Sequence, residues 1–306
     1  MLVTSDKYQG EADYLGMHNL IADNYSLPQH QLYPSIADLD YWRYSWEDNP
    51  DNIQTAQIWK DSVKKVIGFV WLNADGADYV CHHHHRDLEN TMLTWVEQQR
   101  LQLKPADSIT WVNRINIFDC DQQRQDIFQQ RGYERTERFS YYGKRDLSAS
   151  IPLTTLPKGY LIRSISNSKD IEQRAALHEI AAGGSKITSA QYQTMMNQAL
   201  TYRQDLDLVV TVLDGQIVAF CTVWFDARNR VGVFEPLGCH PNYRRRGLTK
   251  NLLYEGMLRL KRLGATTVFV SHGGLTSKEE TDPALELNAS VGFQMIGRNY
   301  QWQKQL

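Results

Sequence analysis

The order of predicted elements in residues 1–148 recurs in residues 149–306, and this internal repeat limits the chain to a small set of folds. KKVIGFVWLN (Lys64–Asn73) reads as a strand, and GQIVAFCTVWF (Gly215–Phe225) is its counterpart. DYVCHHHHRDLENTMLTWVEQQ reads as strand, turn and helix, and FEPLGCHPNYRRRGLTKNLLYEGMLRL repeats that order. The β-rich run SITWVNRINIF (Ser108–Phe118) answers to ATTVFVS (Ala265–Ser271). Each half closes on a helix, a glycine and an aromatic strand, in Ile127–Tyr142 and again in Leu287–Trp302. Strands joined by helices predict an α/β fold, with a mixed sheet flanked by helices in each half. The connector is DLSASIPLTTLPKGY (Asp146–Tyr160), which has prolines, small hydroxyl residues, a glycine and no amphipathic period. It separates a domain at 1–148 from one at 149–306. Beyond it, YLIRSI reads as a strand, and a helix follows with Asn167 or Ser168 as its cap.

Val231–Leu263 carries the chemistry. VGVFEPLGCHP is a strand interrupted at Pro236, where a missing N–H forces the ladder to bulge or splay. YRRRGLT follows, and then an amphipathic helix with Leu252, Leu253, Gly256, Met257 and Leu260 on one side and Gly264 at its end. A strand that runs through a basic, glycine-containing turn into a helix N-terminus makes a phosphate cradle. Unpaired N–H groups and the helix dipole face the anion, Gly247 lets the backbone come close, and Arg244, Arg245 and Arg246 add charge. The implied ligand is a pyrophosphate. The plainer alternatives are a solvated helix start or a nucleic-acid patch.

Arg244-Arg245-Arg246-Gly247-Leu248-Thr249 resembles the Q/R-x-x-G-x-G/A signature of the GNAT superfamily of acyl-CoA N-acyltransferases, with Thr249 in place of the usual small residue. Cys239-His240-Pro241 resembles the family's V-H-P. In TDPALELNASVGF (Thr281–Phe293), Ala284, Leu287, Gly292 and Phe293 match a second family frame. The resemblance covers the second half well and the first half weakly. It implies two tandem GNAT-like domains, with acetyl-CoA as cosubstrate on the second. The expected binding residues are Leu237, Gly238, Cys239, Arg244, Arg245, Arg246, Gly247, Leu248, Thr249 and Asn288. The implied activity is acetyl transfer to a primary amine of a small molecule or peptide, by direct attack on the thioester.

An alkylamine is mostly protonated at neutral pH, so a base is wanted near the thioester. Glu235, a charged residue inside an apolar strand, resembles the family's strand-four glutamate and is the expected base; the alternative is an edge-strand surface carboxylate. The splayed strand leaves backbone groups free near Leu237, Gly238 and Cys239, where the resemblance implies contacts to pantetheine and the thioester carbonyl. His240 is either a proton shuttle or a residue that shapes the turn. Cys239 as an acyl-carrying nucleophile has no fixed partner. The family's general-acid tyrosine falls on Asn288, so water, Tyr254 or His272 is left to take that part. That departure keeps a second reading open, an acyl-CoA-binding sensor or interaction module of little catalytic power.

The first half reads as a degenerate copy. Aligning His82 with His240 places Arg86 on Arg244 but Glu89 on Gly247, which adds a side chain and a like charge where phosphate would sit. Phe128 takes the tyrosine position. One cofactor per chain is expected, in the second half. Consecutive His82, His83, His84 and His85 fan out, so no metal is expected. The aromatic run Tyr41–Trp46 lines a cleft or forms core.

The net charge of −2 gives no bulk attraction to nucleic acid or anionic membrane. The N-terminus has no signal-peptide pattern and no apolar run spans a bilayer. The four cysteines are widely spaced, as suits free thiols in a reducing cytoplasm. A monomer is expected over a homodimer, since a tandem chain can make internally the pairing that a free-standing domain makes with a second copy.

Overall fold

The computed structural model describes residues 3–25, 34–45, 52–105, 111–181, 186–275 and 282–306. Trp46, Ser108–Thr110 and Thr281, named above, lie outside them.

In the first half, β1 (Thr4–Lys7), α1 (Glu11–Asn24) and α2 (Ile36–Ser45) precede β2 (Gln57–Lys60), β3 (Val66–Leu72) and β4 (Ala77–Cys81). Then come α3 (Glu89–Gln102), β5 (Val112–Phe118), α4 (Gln122–Gln130) and β6 (Glu134–Asp146). The second half repeats this as β7 (Tyr160–Ser164), α5 (Ser168–Ala181), α6 (Ser189–Gln198), β8 (Asp207–Val212), β9 (Ile217–Asp226) and β10 (Val231–Cys239). It ends with α7 (Leu248–Arg262), β11 (Thr267–Leu275), α8 (Pro283–Ser290) and β12 (Gln294–Gln305). Of the two cap candidates for α5, Asn167 is the one used: its Oδ1 accepts from the Asp170 N–H at 3.0 Å.

The repeat holds at atomic detail. The backbone N–H of His82 donates to the Ile67 carbonyl at 2.8 Å, and that of His240 to the Val218 carbonyl at 2.9 Å. Each histidine then accepts on Nδ1 from the backbone N–H two residues on, at 3.2 Å in both halves.

The connector between β6 and β7 divides the elements, but not the sheets. One four-stranded sheet runs β1-β2-β3-β4, and one eight-stranded sheet runs β5-β12-β6-β11-β10-β9-β8-β7. Each half therefore sends its last strand into the other. β12 lies between β5 and β6, and β6 lies between β12 and β11. The exchange also mixes the cores, because Tyr300 and Trp302 of β12 pack with Tyr79, Val96 and Phe128 of the first half. On the far side, Leu248, Leu252, Leu253, Met257 and Leu260 of α7 are buried against β8–β11.

Helix α2 crosses the same way. Asp40 accepts from the Tyr14 hydroxyl at 2.8 Å within its own half and from the Thr201 backbone N–H of the other half at 2.8 Å. Its other carboxylate oxygen contacts are with His18 and the Thr201 hydroxyl. Ala37 packs into the cluster formed by α5, α6 and β9.

Candidate functional site

Strand alternation sets the two faces of β10. Gly232 and Phe234 face α7, while Val231, Val233 and Glu235 line a cleft on the opposite face. β10 runs parallel to β11 from Val231 to Phe234, then parts from it and stays paired only with β9. The β9 pairing itself slips between Phe234 and Leu237, the bulge expected at Pro236. Past the split, β11 continues along β6, through Ser271 opposite Tyr142 and His272 opposite Tyr141. Leu237, Gly238 and Cys239 therefore present backbone to a gap between two strands of one sheet. Gly238 is required there: a Cβ at this position would meet the Phe220 ring at 2.4 Å and the Ala181 methyl at 2.8 Å.

The cradle follows directly. His240 caps a short turn at Pro241–Tyr243, so its ring is used to shape the approach to the helix. Arg245 (φ 64°) and Gly247 (φ 75°) are both left-handed, which curls the backbone N–H groups toward one concave side. No side chain caps α7, whose first N–H groups have no intrahelical partner. A Cβ on Gly247 would touch only Asn251 Nδ2, at 3.8 Å, so the space above it is open. Arg244 Nε donates to the Cys239 carbonyl at 3.2 Å, and Arg246 donates to the Tyr160 hydroxyl at 2.7 Å. Arg244, Arg245 and Arg246 are exposed, and Arg245 has no partner among the described residues. Asn251, which the sequence did not single out, ties the turn down: its Nδ2 donates to the Gly247 carbonyl at 2.9 Å and its Oδ1 accepts from the Thr155 N–H at 2.7 Å. Open space, free N–H groups and exposed guanidiniums fit a pyrophosphate. Burial pushes the Cys239 thiol up, the opposite of what a nucleophilic thiolate needs.

The cleft beside Glu235 is open, about 680 Å3, and built from both halves. Ile21 and Tyr25 of α1, the start of α2, and Tyr142 of β6 come from the first half. Trp224, Val233 and Phe269 of the second half supply apolar wall. Asp38 of α2 lines the same cleft as Glu235 and the two carboxyls interact, a contact between halves that the sequence did not reveal. Burial, then the Asp38 charge and its hydrogen bond, push the Glu235 carboxyl up to about 8. Burial raises Asp38 as well, although the Ser35 backbone and hydroxyl and Glu235 oppose the rise. Both carboxyls are thus held above the usual range, which favours a proton kept between them. The Tyr142 hydroxyl lies well above its usual range, through burial and then the Asp38, Glu235 and Asp78 charges.

Asn288 stands elsewhere. It is buried on α8, its Oδ1 has no hydrogen-bond partner, and it lines a cavity of about 410 Å3 with His272, Tyr141 and Phe293. That cavity and the Glu235 cleft share Val270. Of the residues considered for the missing tyrosine's part, His272 lines the Asn288 cavity and pairs with Asp282 at 2.8 Å, whereas Tyr254 packs against the α7 core.

In the first half the cradle position is filled by protein charge. Glu89 is fully buried, with Arg86 Nε 2.6 Å from Oε1 and Arg124 Nε 3.1 Å from Oε2. Asp121 holds Arg86 Nη2 at 3.0 Å. Burial alone would raise the Glu89 carboxyl, but Arg124 and Arg86 hold it below the usual carboxylate range. The histidine run forms a stacked turn, with the His82 and His83 rings 4.3 Å apart. Among the described residues no group of three or more His, Cys, Asp or Glu side chains is placed to hold a metal, and no helix is long and apolar enough to cross a membrane.

The family model described as Acetyltransferase (GNAT) family matches residues 176–293, the segment that contains the split strand, the cradle and α8. Residues 176–293 of the second half thus carry a GNAT-family acetyltransferase domain. The whole length of the chain has the tandem GNAT fold. A tandem GNAT protein from the clavulanic acid biosynthesis pathway superposes with a TM-score of 0.68 at 13% identity, covering 99% of this chain and 98% of the other. A GCN5-related N-acetyltransferase from Sphaerobacter thermophilus gives 0.66 at 20%, covering 99% and 95%. The N-myristoyltransferase of Saccharomyces cerevisiae, with bound myristoyl-CoA, gives 0.59 at 10%, covering 98% and 78%. None of the curated proteins compared with the chain matches it.

Proposed function

We propose that this GNAT protein transfers an acetyl group from acetyl-CoA to a primary amine of a small molecule or peptide. The observation that carries the reading is the convergence of three features on one split strand. The phosphate-accepting cradle lies at one end of β10, free backbone lies at the split, and the half-buried Glu235 on the same strand faces a separate cleft.

Bound along that path, acetyl-CoA supplies the activated acyl carbon. The exposed arginines and the α7 N-terminus hold the pyrophosphate. Backbone N–H groups at Leu237–Cys239 offer hydrogen bonds to charge that develops on the carbonyl oxygen. Glu235 accepts the proton that the amine must lose. In this reading His272, which lines the cavity beside Asn288, or water returns a proton to the departing thiolate. The relatives' names support an acyl-CoA donor, and the filled cradle of the first half supports one such site per chain.

The test is release of free CoA from acetyl-CoA across a panel of polyamines, aminoglycosides, amino acids and peptides, with calorimetric titration of CoA. Turnover with at least one amine and a stoichiometry near one are expected. Tight CoA binding with no turnover on any amine leaves the sensor reading in its place.

A further inference from the structure

We propose that Asp38, carried by the first half, is a positioning residue of the second half's reaction centre, holding the Glu235 carboxyl in place and reading the positive charge of the incoming amine. This rests on the acetyl-transfer reading and deepens it: the acceptor enters as an ammonium, and the first half completes the site that receives it.

The geometry is specific. Ser35 precedes α2 as its cap, and Asp38 is the third helical residue. The Asp38 N–H donates to Ser35 Oγ at 3.2 Å, while the Ser35 N–H and hydroxyl donate to Asp38 Oδ2 at 2.6 and 2.8 Å. A capping box alone accounts for that arrangement. It does not account for Glu235. Both Ser35 bonds fall on Oδ2, and Asp38 lines the same cleft as Glu235, the two carboxyls being in hydrogen-bond contact. The placement is enforced from both sides, by the cap at the start of α2 and by Asp40, which anchors α2 to Thr201.

The charged and titratable groups around Glu235 leave Asp38 as its main influence. On α1, Tyr25 lines the cleft, and Asp226 of β9 lies along the same wall. Tyr142 comes from β6, and the Asp38 charge also raises Asp78 of β4. On α5, Arg174 and His178 are both placed against the Phe220 ring. Among the described residues no lysine, arginine or histidine forms an ion pair with Asp38, Asp78 or Glu235. A single shared proton leaves the Asp38–Glu235 pair with one negative charge, which an ammonium can match. Once the ammonium is seated, its charge favours ionised Glu235, whose own proton leaves to solvent; Glu235 then takes one proton from the ammonium, the freed lone pair forms the N–C bond as the C–S bond breaks, and the second nitrogen proton goes to the departing thiolate.

Three variants separate this from a purely structural role. Asp38→Asn keeps an oxygen for the Ser35 N–H but removes the negative charge. Its KM for a cationic amine should rise about tenfold, and the acid limb of kcat/KM against pH should move to lower pH, because a like charge no longer raises Glu235. Asp38→Glu retains both cap and charge and should restore the profile. Ser35→Ala weakens the cap and should leave the limb where it is. A limb unmoved in Asp38→Asn, or moved equally in Ser35→Ala, overturns the proposal. A readout free of catalysis is the melting temperature of the unliganded protein from pH 5 to 8. It should fall with pH in the wild type and in Asp38→Glu, and fall less in Asp38→Asn; equal slopes in all three also overturn the proposal. If no amine is acetylated by the wild type, the transferase reading fails, and this melting series still decides whether Asp38 controls Glu235.

Discussion

A carboxyl on a strand that faces a largely apolar cleft beside a second carboxylate ionises late, and Glu235 stands in that position. With a value near 8, only about one molecule in ten has this group ionised at pH 7. Wild-type kcat/KM should therefore rise with pH until about 8. Glu235→Gln should keep acetyl-CoA affinity, lose turnover on the order of a hundred- to ten-thousand-fold, and lack that limb, leaving only the amine's own ionisation. Glutamine preserves size and one acceptor oxygen, so a wild-type rate across neutral pH means that Glu235 is structural. The same shift sets a stability trend. The folded value is raised from 4.5, so the contribution of Glu235 is complete below about 4.5 and is lost as pH climbs through about 8. The unliganded wild type should melt lower at pH 8 than at pH 5, and Glu235→Gln should flatten that slope.

At the scale of the element, α7 and α3 occupy equivalent places and begin in opposite ways. α7 starts on a bare left-handed glycine with its N–H groups open, and α3 starts on a buried glutamate clasped by two arginines. Gly247→Glu copies the second arrangement onto the first without the arginine clasp, and forces a side chain onto φ 75° at an exposed turn. Calorimetry should show CoA binding lost while the circular dichroism spectrum is kept; unchanged affinity places the pyrophosphate elsewhere. Glu89→Gln acts on the fold instead. It leaves Arg86 and Arg124 in a buried site with Asp121 as their remaining shared counter-charge, and denaturant unfolding should show a loss of about 3 kcal/mol. A loss under about 1 kcal/mol refutes a structural role for that network.

For the whole molecule, strand exchange makes the halves interdependent. A fragment of residues 149–306 keeps the cradle but loses β6 from the edge of β11 and leaves β12 without either neighbour. Unpaired edges of that length promote association. The fragment should be aggregated or poorly folded by size exclusion, whereas halves expressed together should co-purify. A monodisperse, CoA-binding fragment contradicts this. In the intact chain the exchange satisfies both strands internally, so light scattering should give a monomer; a stable dimer overturns that expectation.

Local signals were legible in the sequence because their causes lie within a few residues. The break in β10 at Pro236, the cradle from Arg244 to Thr249, the apolar side of α7, the cap at Asn167 and the repeat itself each follow from backbone geometry or short-range periodicity. The Glu89 substitution was legible as a charge in the wrong place, but not Arg124, which closes the clasp from another helix. Asp38 sits in a readable capping motif, Ser35-x-x-Asp38, yet nothing in that motif says which strand the helix will face. The exchange of β6 and β12 was hidden for the same reason. Alternation and propensity specify a strand, whereas its neighbours are chosen by which edges and core faces remain unsatisfied once the rest has packed. The sequence by itself determined the elements, their order and the anion cradle. Only the tertiary structure decided that the cleft beside it is shared between halves, because the groups that meet there are brought together by long-range packing and by no local rule.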